Sequence, residues 1–103
     1  MRLRWSRHAL ADLDRICTRI ALDKPVAVAG FAQTIADKVD RLREFPLLGR
    51  IGVYQDTREL VVHRNYLVTY RVRADEVQIL QVWHVARQRS VGSPNAGTPG
   101  DSG

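Results

Sequence analysis

Cysteine is nearly missing from this chain. Cys17 is the only one in 103 residues, so no disulfide can form within the protein. Its place on the apolar side of a predicted helix makes it a buried thiol and not a reactive one. Long apolar runs are also missing. None approaches the ~20 residues that a membrane-crossing helix needs. The opening Met1-Arg2-Leu3-Arg4-Trp5 carries positive charge with no apolar stretch behind it, which is not the pattern of a signal peptide. A cytoplasmic protein is expected. His8, His63, His84 and Cys17 have no metal-ligand spacing, so no metal is expected. Gly49 and Gly52 do not make a phosphate-binding loop, and no cofactor is expected. Ser6 and Ser90 show no local sign of nucleophile activation.

Lysine is scarce as well. Of sixteen basic residues only Lys24 and Lys38 are lysines, and the rest are arginines. The formal net charge is +5 and the pI about 10.1. Arginine offers a planar fork that matches phosphates and carboxylates in two-point contacts. So basic a small domain suits a nucleic acid or an acidic protein partner. With 45% hydrophobic residues the chain is globular, and its length allows one domain with one core.

Leu3-Arg4-Trp5 reads as a short first strand. Ser6 is placed to cap the helix that follows, whose apolar residues Leu10, Leu13, Ile16, Cys17 and Ile20 recur at helical spacing. Asp12, Arg15 and Arg19 fall on its other, solvated side, and Asp12 and Asp14 face different directions. This helix ends near Leu22. Pro25 starts a second helix, with an apolar stripe of Val28, Phe31, Ile35, Val39 and Leu42 that ends at Phe45-Pro46. Gly30 within it weakens the helix, and a close approach of the two helices is the expected reason. The helices form an antiparallel hairpin.

After the loop Leu47–Gly52, three strands are expected over about 58–63, 66–73 and 76–83, joined by short turns into an antiparallel meander. Tyr66, Val68, Tyr70 and Val72 alternate with Leu67, Thr69, Arg71 and Arg73, giving one apolar and one increasingly basic face. Val77, Ile79, Leu80 and Val82 break alternation and suggest a strand covered on much of both faces. Trp5 and Trp83 are read as packing residues. The end from Ser90, SVGSPNAGTPGDSG, is too poor in large apolar residues to order itself. The division is thus a domain over 1–89 and a disordered tail over 90–103. Arg58, His63-Arg64, Arg71, Arg73, His84, Arg87 and Arg89 can converge on one face or rim. There they could orient a phosphate, stabilise transition-state charge and move protons.

Two amphipathic helices, the FPLLGR linker, the strands of RELVVHRNYLVTYRVRADEVQILQVWHVARQR and the closing His84-Val85-Ala86-Arg87-Gln88-Arg89 occur here in that order. In this, residues 3–89 resemble the small toxins of bacterial type II toxin–antitoxin modules, the RelE/ParE superfamily. The resemblance implies an α+β fold with an N-terminal strand and a two-helix hairpin packed on a small antiparallel β-sheet. It implies one of two activities. RelE-like members cut mRNA in the ribosomal A site by 2′-OH attack on the neighbouring phosphate. ParE-like members inhibit DNA gyrase without that catalytic set. Cleaving members commonly carry an Arg early in the central strand, in a pattern like Tyr-Arg-Leu-Val-Tyr. This chain reads Tyr66-Leu67-Val68-Thr69-Tyr70, with Leu67 at the matching position, and no Tyr follows Tyr70. Arg87 matches the Arg that follows the last strand in cleaving members, and His84 a histidine found in some members of both branches. If the chain is RelE-like, Arg64, Arg71, His84 and Arg87 are its candidate catalytic residues.

The favoured expectation is gyrase inhibition, the alternative a ribosome-dependent mRNA endonuclease, and a third a non-toxic binding module. The resemblance also implies a cognate antitoxin. Its acidic C-terminal part would wrap the toxin as a helix or extended segment in a hetero-oligomer, and the antitoxin's other half would bind DNA. The apolar hairpin offers a groove for an amphipathic helix.

Overall fold

The computed structural model describes residues 1–86. Arg87, Arg89 and the tail expected to be disordered lie outside them. In chain order the elements are β1 (Arg2–Trp5), α1 (Arg7–Asp23), a 3₁₀ turn (Pro25–Ala27), α2 (Val28–Asp40), a second 3₁₀ turn (Arg41–Arg43), β2 (Arg50–Ile51), β3 (Arg58–His63), β4 (Tyr66–Arg73) and β5 (Glu76–His84).

Strands β3, β4 and β5 form the expected antiparallel meander, with two residues at each turn. The second turn holds Ala74 at a φ of 53°, a left-handed conformation that costs a side-chain-bearing residue roughly 1–2 kcal/mol. The first strand adds something the meander does not predict. β1 pairs parallel to β5, Arg2 opposite Glu76 through Trp5 opposite Ile79, so the five-stranded sheet is mixed, in the order β1-β5-β4-β3-β2.

Both helices lie on one face of this sheet. Phe31, Ile35 and Val39 of α2 and Ala9 of α1 close a core with Leu60, Val62, Val68, Tyr70, Val77, Ile79 and Val82. The broken alternation in β5 has a different cause from the one expected. Thr69 pairs with Gln81 but Tyr70 with Ile79, so Leu80 is an extra residue. This bulge shifts the phase and keeps Val77, Ile79 and Val82 on the same buried face.

Ser6 caps α1 as expected, its Oγ accepting from the Ala9 amide at 3.0 Å. Two other expectations for the helices are corrected. Asp12 is not solvated: it is 2% exposed, and its Oδ2 accepts from the Val82 amide at 3.0 Å. β1 ends at Trp5, so among the described residues β5 beyond Ile79 has no strand on that side. Ser6 and Asp12 take up its free edge, Ser6 donating from its amide to Ile79 O at 2.9 Å. Gly30 is not a contact between helices either, since a Cβ there would meet nothing within 4 Å.

Candidate functional site

The open face of the sheet follows from the register. Side chains alternate along a strand, so with Val68, Tyr70 and Val72 toward the helices, Leu67, Thr69, Arg71 and Arg73 face away. Leu67 is 2% exposed and pairs across the strands with Trp83. The Trp83 indole donates to Thr69 Oγ1 at 2.9 Å. Arg71 lies opposite Gln78, and its Nε is buried without a hydrogen-bond partner among the described residues. Glu59 is buried on the same face and is paired with Arg50 at 3.0 Å.

His84 lies elsewhere. It pairs with Tyr66 on the helix-side face, ring against ring at 4.9 Å and nearly perpendicular. Its Nδ1 accepts from the Ala86 amide at 3.0 Å. Tyr66 also meets Phe31 of α2 edge to face at 5.2 Å, and Phe31 meets His63 at 5.0 Å. Tyr66 therefore stands in an aromatic cluster with one imidazole to either side. His63 and His84, both among the residues expected to converge, do come together at Tyr66. The irregular register between Val61 and His63 is what turns the His63 ring toward Phe31. Arg64 sits in the exposed β3–β4 turn at this same end.

The expected convergence of basic residues is thus only partial. Arg64 and His84 share one end of the sheet. Arg71 is five residues along β4 from Tyr66, roughly 17 Å at ~3.4 Å per residue, and on the opposite face. Arg58 is engaged in structure: its Nη1 donates to Gly49 O at 2.7 Å and to Leu47 O at 3.4 Å. Cys17 is half-buried, and burial, helped by the nearby Asp14 charge, raises its thiol pKa, so the unreactive thiol form is favoured. Among the described residues no group of three or more His, Cys, Asp or Glu could hold a metal ion, and no helix is long and apolar enough to cross a membrane.

The loop before β3 is pinned to the core from beneath. The Tyr70 hydroxyl accepts from the Gly49 amide and donates to Pro46 O, each at 2.8 Å. Its pKa is raised by burial, against the opposing effects of the Gly49 hydrogen bond and the Arg58 charge, so it remains the neutral donor these contacts require. A Cβ at Gly49 would lie 2.7 Å from Glu59 O and 2.8 Å from the Tyr70 ring, which explains the glycine. The chain held there lines a groove of about 330 Å³ with Lys38 of α2, Arg41 of the second 3₁₀ turn and Glu59, Leu60 and Val61 of β3.

Comparison with known proteins agrees with this architecture. Residues 3–89 match the family described as the ParE toxin of the type II toxin–antitoxin system parDE. The chain is 42% identical over 88 residues to putative toxin Y4kP of Sinorhizobium fredii, covering 84% of this chain and 91% of that protein. It is 36% identical over 83 residues to toxin RelE2 of Caulobacter vibrioides, covering 81% and 93%. A solved chain of the chromosomal ParDE system from P. aeruginosa superposes with a TM-score of 0.77 at 30% identity, covering 82% of this chain and 96% of that one. A YoeB/ParE toxin from Agrobacterium tumefaciens shares the fold at 15% identity, with a TM-score of 0.60 and coverage of 82% and 98%. With this order of elements, this sheet and these relatives, the chain belongs to the RelE/ParE superfamily of type II toxin–antitoxin toxins.

Proposed function

We propose that this toxin acts as a binding inhibitor of DNA gyrase, in the ParE-like manner, and that a cognate antitoxin neutralises it by direct contact. One observation carries the reading: Leu67 stands where cleaving relatives place an arginine, and it is packed against the sheet at 2% exposure. A buried apolar side chain neither orients a phosphate nor stabilises charge in a transition state. The wide separation of Arg71 from His84 supports the same reading, as does the likeness to the ParDE chain. The basic surface then serves to bind the partner and the target. The gyrase target lies in the cytoplasm, and so would the toxin.

The second reading is a RelE-like mRNA endonuclease. It is favoured by Arg64, His84 and Tyr66 sharing one end of the sheet, next in sequence to Arg87. Induced expression without antitoxin separates the two when DNA and protein synthesis are pulse-labelled side by side. Gyrase inhibition is expected to lower DNA synthesis first, with an SOS response and intact transcripts. Early loss of protein synthesis with cut mRNA would overturn it in favour of the nuclease. In that case Arg87→Ala would lower cleavage by about 10²-fold or more while leaving antitoxin binding intact.

A further inference from the structure

The chain between β2 and β3 closes on itself as a tight hairpin. β2 pairs with Arg58 and Glu59, and just beyond it the Gly52 amide donates to Thr57 O at 2.9 Å. Thr57 is buried, and its amide and its hydroxyl both donate to Tyr54 O, at 3.2 and 2.6 Å. Gly52 has no room for a side chain, since a Cβ there would lie 2.5 Å from Thr57 Oγ1. Asp56 takes a φ of 61°, in the left-handed region that side-chain-bearing residues avoid. Arg58 and Tyr70 tie down the linker that leads into the hairpin.

All this specification buries no apolar side chain at the tip. Ile51 is 79% exposed, Val53 74% and Tyr54 42%. Strain and close packing that add nothing to a core point to a shape kept for use. Single exposed apolar residues are ordinary, but a group of them held outward together marks an interaction site. Tyrosine is also among the residues that dominate binding energy, because it brings a large contact area with little side-chain freedom to lose.

A convex knob and a concave groove take different partners. A disordered segment that orders on binding needs a groove or a strand edge in which to bury its side chains. A knob already fixed in shape fits a pocket that exists in a folded partner, and neither side then loses much freedom. The charge at its foot defines that pocket further. Arg50 of β2 lines a groove with Lys38 and Arg41, and no ion pair engages Lys38 or Arg41 among the described residues. The complement is an apolar pocket with carboxylates on its rim. A second copy of this chain is disfavoured, since hairpin against hairpin would set these cations against themselves at a net charge of +5 each.

We propose that the β2–β3 hairpin, through Ile51, Val53 and Tyr54, is the surface by which this toxin docks into an apolar, acid-rimmed pocket of its folded target. This rests on the reading of the chain as a gyrase inhibitor, and it adds the surface and the form of the contact.

The test uses the full chain and purified DNA gyrase, with supercoiling of relaxed plasmid as the readout. Tyr54→Ala and Val53→Asp are compared with wild type, and Val26→Asp is the control. Val26 is 95% exposed and lies in the turn before α2, at the other end of that helix from Lys38. Both hairpin variants should need at least roughly tenfold more protein for half-inhibition, as loss of a central apolar anchor requires. The control should match wild type. All three alter exposed side chains, so their thermal melts should coincide with that of wild type. Undiminished inhibition by both hairpin variants would overturn the proposal and leave the gyrase reading standing. So would a loss confined to binding of the protein encoded by the adjoining reading frame, which would give the knob to the neutralising partner. A wild-type dimer that Tyr54→Ala dissociates, with inhibition unchanged, would overturn it in favour of a second copy. No inhibition of gyrase by the wild-type chain would remove the gyrase reading and this proposal together.

Discussion

Asp12 shows how a single residue escapes a pattern. On a helical wheel it falls with Arg15 and Arg19, away from the apolar stripe, and reads as a solvated charge. In the fold it is buried, accepting from the Val82 amide through one oxygen and from Arg15 at 2.6 Å through the other, with His8 at 3.4 Å. The reason is topological: a parallel edge strand of four residues ends before β5 does, and the bare amide needs an acceptor. Asp12→Ala should therefore cost about 1–3 kcal/mol, the penalty of an unsatisfied buried donor, read as a lower midpoint in denaturant. A surface carboxylate would move that midpoint by a few tenths at most. Gly30 is the converse case. Its site is exposed and open, so Gly30→Ala should stabilise by about 0.5–1 kcal/mol through helix propensity and reduced unfolded-state entropy. A loss of stability would restore the idea of a close helix contact.

The linker between α2 and β3 has almost no regular structure, yet it is the segment most tightly specified by particular atoms. Tyr70 from β4, Arg58 from β3 and the absent side chain of Gly49 together fix its path. Tyr70→Phe keeps the ring and removes both hydroxyl bonds. It should destabilise the protein by about 1–3 kcal/mol, or several degrees in Tm for a domain of this size. Because the linker forms one wall of the groove beside β3, the same variant should loosen the groove. Faster amide exchange at Gly49 than at the α2 core would show it. From the sequence, Tyr70 is one more apolar position in an alternating strand, and Gly49 one glycine in a loop. Nothing in spacing connects residues twenty-one apart through a hydroxyl.

Across the whole molecule, the first and last strands join the two ends of the domain in parallel, with Arg4 paired to Glu76 and Arg2 to Asp75 at 3.3 Å. The hydrogen bond from Arg4 is the main cause that holds the Glu76 carboxyl below its ordinary range, assisted by Gln78 and by the charges of Arg4 and Arg2. A carboxylate with a depressed folded pKa stabilises the native state above its unfolded value. That contribution disappears as pH falls through the lower folded value. Glu76→Gln should accordingly be less stable than wild type at neutral pH, with the difference closing on the acid limb. Thermal melts across that range decide it. A difference that is constant with pH would assign the effect to packing instead.

Chain-local chemistry was enough to determine the helices, the three meander strands and the Ser6 cap, while the kind of protein came from the resemblance that the order of these motifs carries. Helical and strand periodicities are short-range, and a two-residue turn leaves consecutive strands little choice but to pair. The arrangement of charge was not local. Whether Arg64, Arg71 and His84 meet depends on strand parity and on two register irregularities, one in β3 and one in β5. The parallel placement of β1 depends on a contact between residues more than seventy apart. Those long-range choices, made by packing two helices on one face of the sheet, place Arg71 and His84 on opposite faces and leave β3 beyond Glu59 without a neighbouring strand on its outer side among the described residues.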